Sequence, residues 1–308
     1  MNINIKYYVL TIASIFIALG IGIFIGFMLD GQKVFSEQQT SIINELEQKF
    51  KDLQTENNNL KNTVQELNKQ IGYYNQYHQI IFPELVADKL SGVKVAIIET
   101  TNEFIYSGMR NALLKAGATI ESITVIKDSF DTGDELEVQN LIDFLSNKYG
   151  VTVDEKHLNE FVASKLANAI VTGQDVDLID YLKTNGYIDF TGIPGNTDFV
   201  IIAGGSNNKD NNIASIDIPI IKQVKLLNVP IIGVEQSDTK YSYIDVYKKQ
   251  HISTIDNVED IIGQTSLIMV MEGKEGNYGI KQSAMSLMPD SFMKADNSTH
   301  NSAANSKK

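Results

Sequence analysis

The sequence predicts an α/β chain in three parts: a transmembrane helix, a parallel dimeric coiled coil and a distal domain built on a mainly parallel sheet. Three observations predict it. An uncharged apolar run, YYVLTIASIFIALGIGIFIGFML, fills residues 7–29. Apolar residues then recur in steps of three and four through a stretch rich in Glu, Gln, Asn and Lys. From Ser91 onward, short apolar runs alternate with helix-like segments.

The first run exceeds the roughly 18 residues a helix needs to cross the hydrocarbon core. Lys6 precedes it and Asp30 follows it, so the positive side lies inside. Residues 1–6 then form a short cytoplasmic leader, and the rest is extracytoplasmic in a single-pass protein of the cell membrane. The run ends in bulky Phe27, Met28 and Leu29 rather than in small residues fit for cleavage, as expected of a retained anchor. Ser14, Ala18, Gly22 and Gly26 recur every four residues, a small-residue face on which two helices approach closely.

Residues 36–82 read as a coiled coil. Ile43, Phe50, Asn57, Val64, Ile71 and His78 occupy one heptad position; Leu46, Leu53, Leu60, Leu67, Tyr74 and Ile81 occupy the other. β-Branched or aromatic residues at the first and leucine at the second favour two parallel strands, and Asn57 fits a polar pair that fixes register. At about 1.5 Å per residue this makes a rod on the order of 60 Å long. Pro83 is expected to end the helix. His78 reads as a packed residue rather than a metal ligand.

The distal domain spans residues 91–290. VKVAIIET (Val93–Thr100) is apolar without alternation, as in a strand buried on both faces. Asn102 is placed to cap a helix with the face Ile105, Gly108, Met109, Ala112, Leu113 and Ala116, stopped by Gly117. Further strands are read at Thr119–Ile126, Asp198–Gly205 and Val229–Gln236, with another ending at Asp256. Helices are read at about 135–149, 154–170 and 175–185. Strands alternating with helices make a Rossmann-like domain. The polar, low-complexity residues 291–308 read as a disordered tail.

Composition narrows the function. The net charge is −12 and no basic stripe appears, so nucleic acid is not expected as a partner. The absence of cysteine excludes disulfides, thiolate metal sites and cysteine nucleophiles. Neither G-x-G-x-x-G, nor a Walker loop, nor a G-x-S-x-G elbow occurs, and His78, His157, His251 and His300 lack ligand spacing. No enzyme activity and no cofactor are expected. Ligands of open α/β sheets lie beyond the carboxyl ends of the strands, which selects the loops 99–103, 204–208 and 253–257. The turn at Gly204–Asn207 is placed to accept an anion. Asp256 and Glu259 have the spacing of a helix capping box, and Ser253, Thr254, Asp256, Asn257, Asn277 and Tyr278 are the candidate ligand or partner contacts.

Those last residues lie in a longer signature: STIDNVEDIIGQTSLIMVMEG, then GNYG, then LMP at 287–289. Together with the anchor, the heptads and an α/β domain opening on GVKVAII, it resembles the MctB family over nearly the whole chain. The resemblance implies copper transport or homeostasis. It equally implies the role of SteB-like members, membrane-anchored coiled-coil partners of SteA-type or cell-wall proteins in envelope assembly and cell separation. Copper(I) seeks thiolate or thioether ligands. Here only Met285, Met288 and Met293 gather loosely enough to be candidates, while Met269 and Met271 fall on different faces of one helix. A homodimeric scaffold is therefore the leading expectation, with copper handling and a ligand-sensing head as alternatives.

Overall fold

The computed structural model describes residues 5–128, 130, 135–209 and 212–290. Met293, His300 and the expected tail at 291–308 lie outside the described residues, as does most of the leader. The chain divides into two compact units, Met1–Gln76 and the residues from Tyr77 onward.

Helix α1 runs Ile5–Val86. It includes an apolar stretch, Lys6–Leu29, long enough to cross a membrane, with a mean hydropathy of 2.6 and no part buried. Through the heptad segment Ile43, Leu46, Phe50, Leu53, Leu60, Val64, Leu67 and Ile71 are all exposed. A side chain added at Gly22 or Gly26 meets only open space. Pro83 does not end α1, contrary to expectation; the helix continues to Val86. Proline removes one helical hydrogen bond, and the packing of Phe82 and Val86 into the core around it compensates.

The domain from Tyr77 onward is a seven-stranded sheet in the order β3-β2-β1-β4-β5-β6-β7. The strands are β1 Lys94–Glu99, β2 Thr119–Ile126, β3 Ile188–Gly192, β4 Phe199–Ala203, β5 Ile231–Val234, β6 Ser253–Ile255 and β7 Asn277–Tyr278. Every pairing is parallel except β2 with β3. β1, β4 and β5 are almost wholly buried, as their unbroken apolar runs require.

Two apolar layers enclose the sheet. One holds α3 (Glu135–Tyr149), α4 (Leu158–Thr172), α5 (Val176–Thr184), α6 (Ile218–Leu226) and α7 (Ile244–Lys249) against Ala96, Ile98 and Ile202. The other holds α2 (Ser107–Lys115), α8 (Ile261–Met271) and the last turn of α1 against Val95, Ile97 and Ile201. Full burial of such an aliphatic side chain contributes about 1.5–3 kcal/mol.

Three expectations are corrected. Asn102 does not cap α2, which starts five residues later, and Ile105 stays exposed. The intervening loop is held by other bonds: the Glu103 amide donates to Thr101 Oγ1, and Gln236 donates to the Ile105 carbonyl. No strand is expected between the helix at about 175–185 and the strand from Asp198, yet β3 lies there as an antiparallel edge strand with Ile188 and Phe190 inward and Asp189 and Thr191 outward. GNYG was read as a loop, yet Asn277–Tyr278 forms the opposite edge strand.

Candidate functional site at the carboxyl edge of the sheet

β1, β5 and β6 each hand the chain to its next loop through an acidic residue: Glu99, Glu235 and Asp256. A fourth, Asp217, ends a π-helical turn at Ile213–Asp217 that follows β4. All four carboxylates are at most 3% exposed. Burying a charge is costly unless hydrogen-bonded partners accompany it, and each of these has them.

Glu99 pairs with Arg110, which α2 presents one turn above Tyr106. Burial pushes the Glu99 pKa up and the guanidinium opposes it. Glu235 accepts from Lys281 Nζ at 2.5 Å, Ser242 Oγ at 2.5 Å and the Tyr243 amide at 2.8 Å. Its pKa too is raised by burial and held back chiefly by Lys281 and Ser242. Asp256 accepts from the amides of Ile280 at 2.7 Å and Lys281 at 3.1 Å. Lys281 thus ties the segment after β7 to both β5 and β6. A side chain at Gly279 would run into the Asp256 carboxylate, so glycine is required where φ is +142°.

Asp217 Oδ1 accepts from Tyr247 Oη and, at 2.9 Å, from Thr100 Oγ1. Burial pushes its pKa up to about 7, against the pull of these two donors. Gly204 and Gly233 make room for the Tyr247 ring and hydroxyl, and Tyr106 Oη donates to the Gly204 carbonyl at 3.1 Å. Burial drives the hydroxyl pKa of Tyr106, Tyr243 and Tyr247 upward, so all three stay neutral, and Tyr106 and Tyr247 act as donors.

The candidates read from the sequence come together here as the last two strands. Ser253 Oγ accepts from the Gly276 amide at 3.1 Å, and Thr254 Oγ1 donates to Asn277 Oδ1 at 2.9 Å. The Asp256 amide donates to the Tyr278 carbonyl, and Tyr278 Oη donates to the Glu275 carbonyl at 3.3 Å. Thr254, Asp256, Asn257 and Tyr278 are buried. The Asn257 side-chain amide is buried with no hydrogen-bond partner among the described residues, and Gly263 lets α8 approach its carbonyl.

The capping box is not formed. Asp260 caps α8 by accepting from the Ile262 amide at 2.9 Å. Asp256 is committed to residues 280–281, and Glu259 accepts from the Ser237 amide and hydroxyl. The turn at 204–207 does take an anion, but it is the chain's own: Glu103 accepts from Ser206 Oγ and the Asn207 amide, each at 2.8 Å. Met269 and Met271 are buried core residues, whereas Met285 is exposed and Met288 half-buried. Among the described residues no group of three or more His, Cys, Asp or Glu side chains is placed to hold a metal ion.

Sequence reasoning selects the loop that Glu99 opens but misses Arg110, Asp217, Glu235, Tyr243, Tyr247 and Lys281. A signal was present in part, since AIIE, IIGVE and STID each end an apolar run on a carboxylate. The Asp217–Tyr247 pair, thirty residues apart, carried none.

The fold and this edge define a class: an α/β head with a buried acidic edge, carried on a chain whose N-terminal apolar helix is compatible with a membrane anchor. Within that class the chain belongs to the MctB family. The family model, described as copper transport outer membrane protein, MctB, matches residues 2–289. No curated protein matches the chain.

Proposed function

We propose that this chain is a membrane-anchored, dimeric, extracytoplasmic scaffold that supports envelope assembly or division by binding protein partners, without enzymatic activity. One observation carries the reading. The heptad residues of α1 form an apolar stripe, broken at Asn57, that no described residue covers; Leu53, Leu60 and Leu67 are 64%, 60% and 51% exposed. Water disfavours such a stripe by about 25 cal/mol per Å², and a second copy in parallel register would bury it. The anchor sets that register, since both chains leave the same bilayer. The open sheet, with distinct edge strands β3 and β7, encloses no lumen and so supports binding rather than conduction.

Replacing Leu53, Leu60 and Leu67 with Gln in the full chain tests it. Light scattering in detergent should show monomers, and complementation of envelope or cell-separation defects should fail with them. Function retained by a monomer would remove the mechanism.

The family description favours a second reading, copper handling, and the exposed Met285 with the neighbouring Met288 supplies thioethers for it. Competition of the purified chain against a chromogenic Cu(I) chelator separates the two. The scaffold reading expects no stoichiometric competition. Tight binding lost in Met285→Ala/Met288→Ala would instead place a copper site after β7.

A further inference from the structure

The sheet order reverses between β1 and β4: from β1 the chain moves toward β2, and from β4 toward β5. Open α/β sheets bind ligands in the crevice at such a reversal. A cavity of about 70 Å³ lies there, walled by Thr100, Glu103, Asp128, Asn212, Asp217 and Tyr243 among others. We propose that this cavity binds a primary ammonium group, the charged end of a small amine or of a longer amine-bearing molecule.

The chemistry of the walls selects that group. Glu103 has both oxygens engaged by Ser206 and Asn207. Lys127, at the rim, is paired with Asp189 at 2.7 Å. Asp217 is different. It is 2% exposed, and both its donors, Thr100 and Tyr247, bond Oδ1. Beside Asp217's own amide, which also acts on this carboxylate, the described residues offer no donor to Oδ2, and Asp217 forms part of the cavity wall. The carboxamide of Asn212, another wall residue, makes no hydrogen bond within the described chain either. The cavity therefore offers a buried carboxyl oxygen that lacks a donor from any neighbouring side chain, in a surrounding of net negative charge. An ammonium brings positive charge and three donors with no acceptor to leave unmatched. An anion would be repelled, and the described carboxylates do not converge in the threes a metal would need. The volume compares with about 30 Å³ for one water in the liquid, so a CH₂–NH₃⁺ terminus fits and any longer body stays outside. The inference does not rest on the scaffold reading, because the cavity belongs to one chain; the monomeric Leu53/Leu60/Leu67 variant should bind equally well.

Saturation-transfer NMR on the full chain in nanodiscs tests it, with ethanolamine as the probe and ethylene glycol, acetate and Mg²⁺ as comparisons. Ethanolamine should bind saturably, while ethylene glycol, with hydroxyl in place of ammonium, should not. Asp217→Asn should weaken ethanolamine by about tenfold or more, the loss of one charge-assisted hydrogen bond. Asn212→Leu fills the cavity while leaving the bonds to Asp217 in place; it should abolish binding, and it keeps the test open if Asp217→Asn does not fold. The exposed Asp180→Asn should change nothing. Equal binding of ethylene glycol, binding that survives Asn212→Leu, or no saturable ethanolamine signal would each overturn the assignment, leaving solvent as the partner of Oδ2.

Discussion

Two helices of this chain carry apolar residues in opposite circumstances. In α8, Leu267 and Ile268 are fully buried, and Ser266 is accommodated by donating to the Ile262 carbonyl. In the heptad segment of α1, Leu53 and Leu60 remain more than half exposed, on a surface otherwise made of Glu, Gln, Asn and Lys. The apolar content is similar in kind, but only α8 finds its complement within the chain. A helix with polar residues over most of its surface and one unsatisfied apolar seam is built for another helix. A helix apolar nearly all round is built for a core. The sheet domain thus buries its own apolar helix, while the heptad residues of α1 stay exposed.

The sharpest way to break this contrast is to alter each side separately. On the scaffold reading, the Leu53/Leu60/Leu67→Gln variant should run as a monomer while the head's unfolding transition stays where it was. Ile97→Ala, at a fully buried position of β1, should do the reverse. It should cost the head about 2–5 kcal/mol in chemical denaturation and leave the oligomer unchanged. If the seam variant also lowered head stability, the two regions would be energetically joined and the contrast would fail.

The same contrast explains what the sequence made legible. β1, β4 and β5 announce themselves because a strand buried on both faces must be apolar throughout. β3 alternates over only five residues, IDFTG, since one of its faces is open, and β7 has two residues; neither is long enough to signal. At the site, Asp256 and Glu259 had the spacing of a cap, but local spacing competes with long-range partners. Residues 280–281 take Asp256 and Ser237 takes Glu259. Those partners are more than twenty residues away, where periodicity carries no information. The heptad spacing, by contrast, is purely local, and the helix it predicts forms as part of α1.

Smaller effects probe the edge itself. Asp256→Ala leaves the amides of Ile280 and Lys281 without their acceptor, a loss of about 1–3 kcal/mol. Hydrogen exchange should rise in residues 279–288 and not in β1 or β4. Uniform protection throughout would show that the segment is held by Lys281 and Glu235 alone.

The least of the expected effects is one of pH. Asp217 has a folded pKa of about 7 against 3.8 for the free side chain. The folded state holds this proton more tightly than the unfolded state does. Its contribution to stability is therefore fully present below the unfolded pKa, declines as pH rises, and is gone above the folded pKa. Glu99 and Glu235 are shifted the same way and add slopes of the same sign. Tyr106, Tyr243 and Tyr247 stay neutral throughout, and Lys127, Glu103 and Asp128 line the same crevice. Comparing wild type with Asp217→Asn isolates the one group. Between about pH 4 and about pH 7 the wild type should lose stability faster than the variant, by about 1 kcal/mol per pH unit, in urea titrations at fixed ionic strength. Parallel curves would mean that Asp217 ionises as an ordinary carboxylate, open to water, and that the wall of the switch-point cavity is wet.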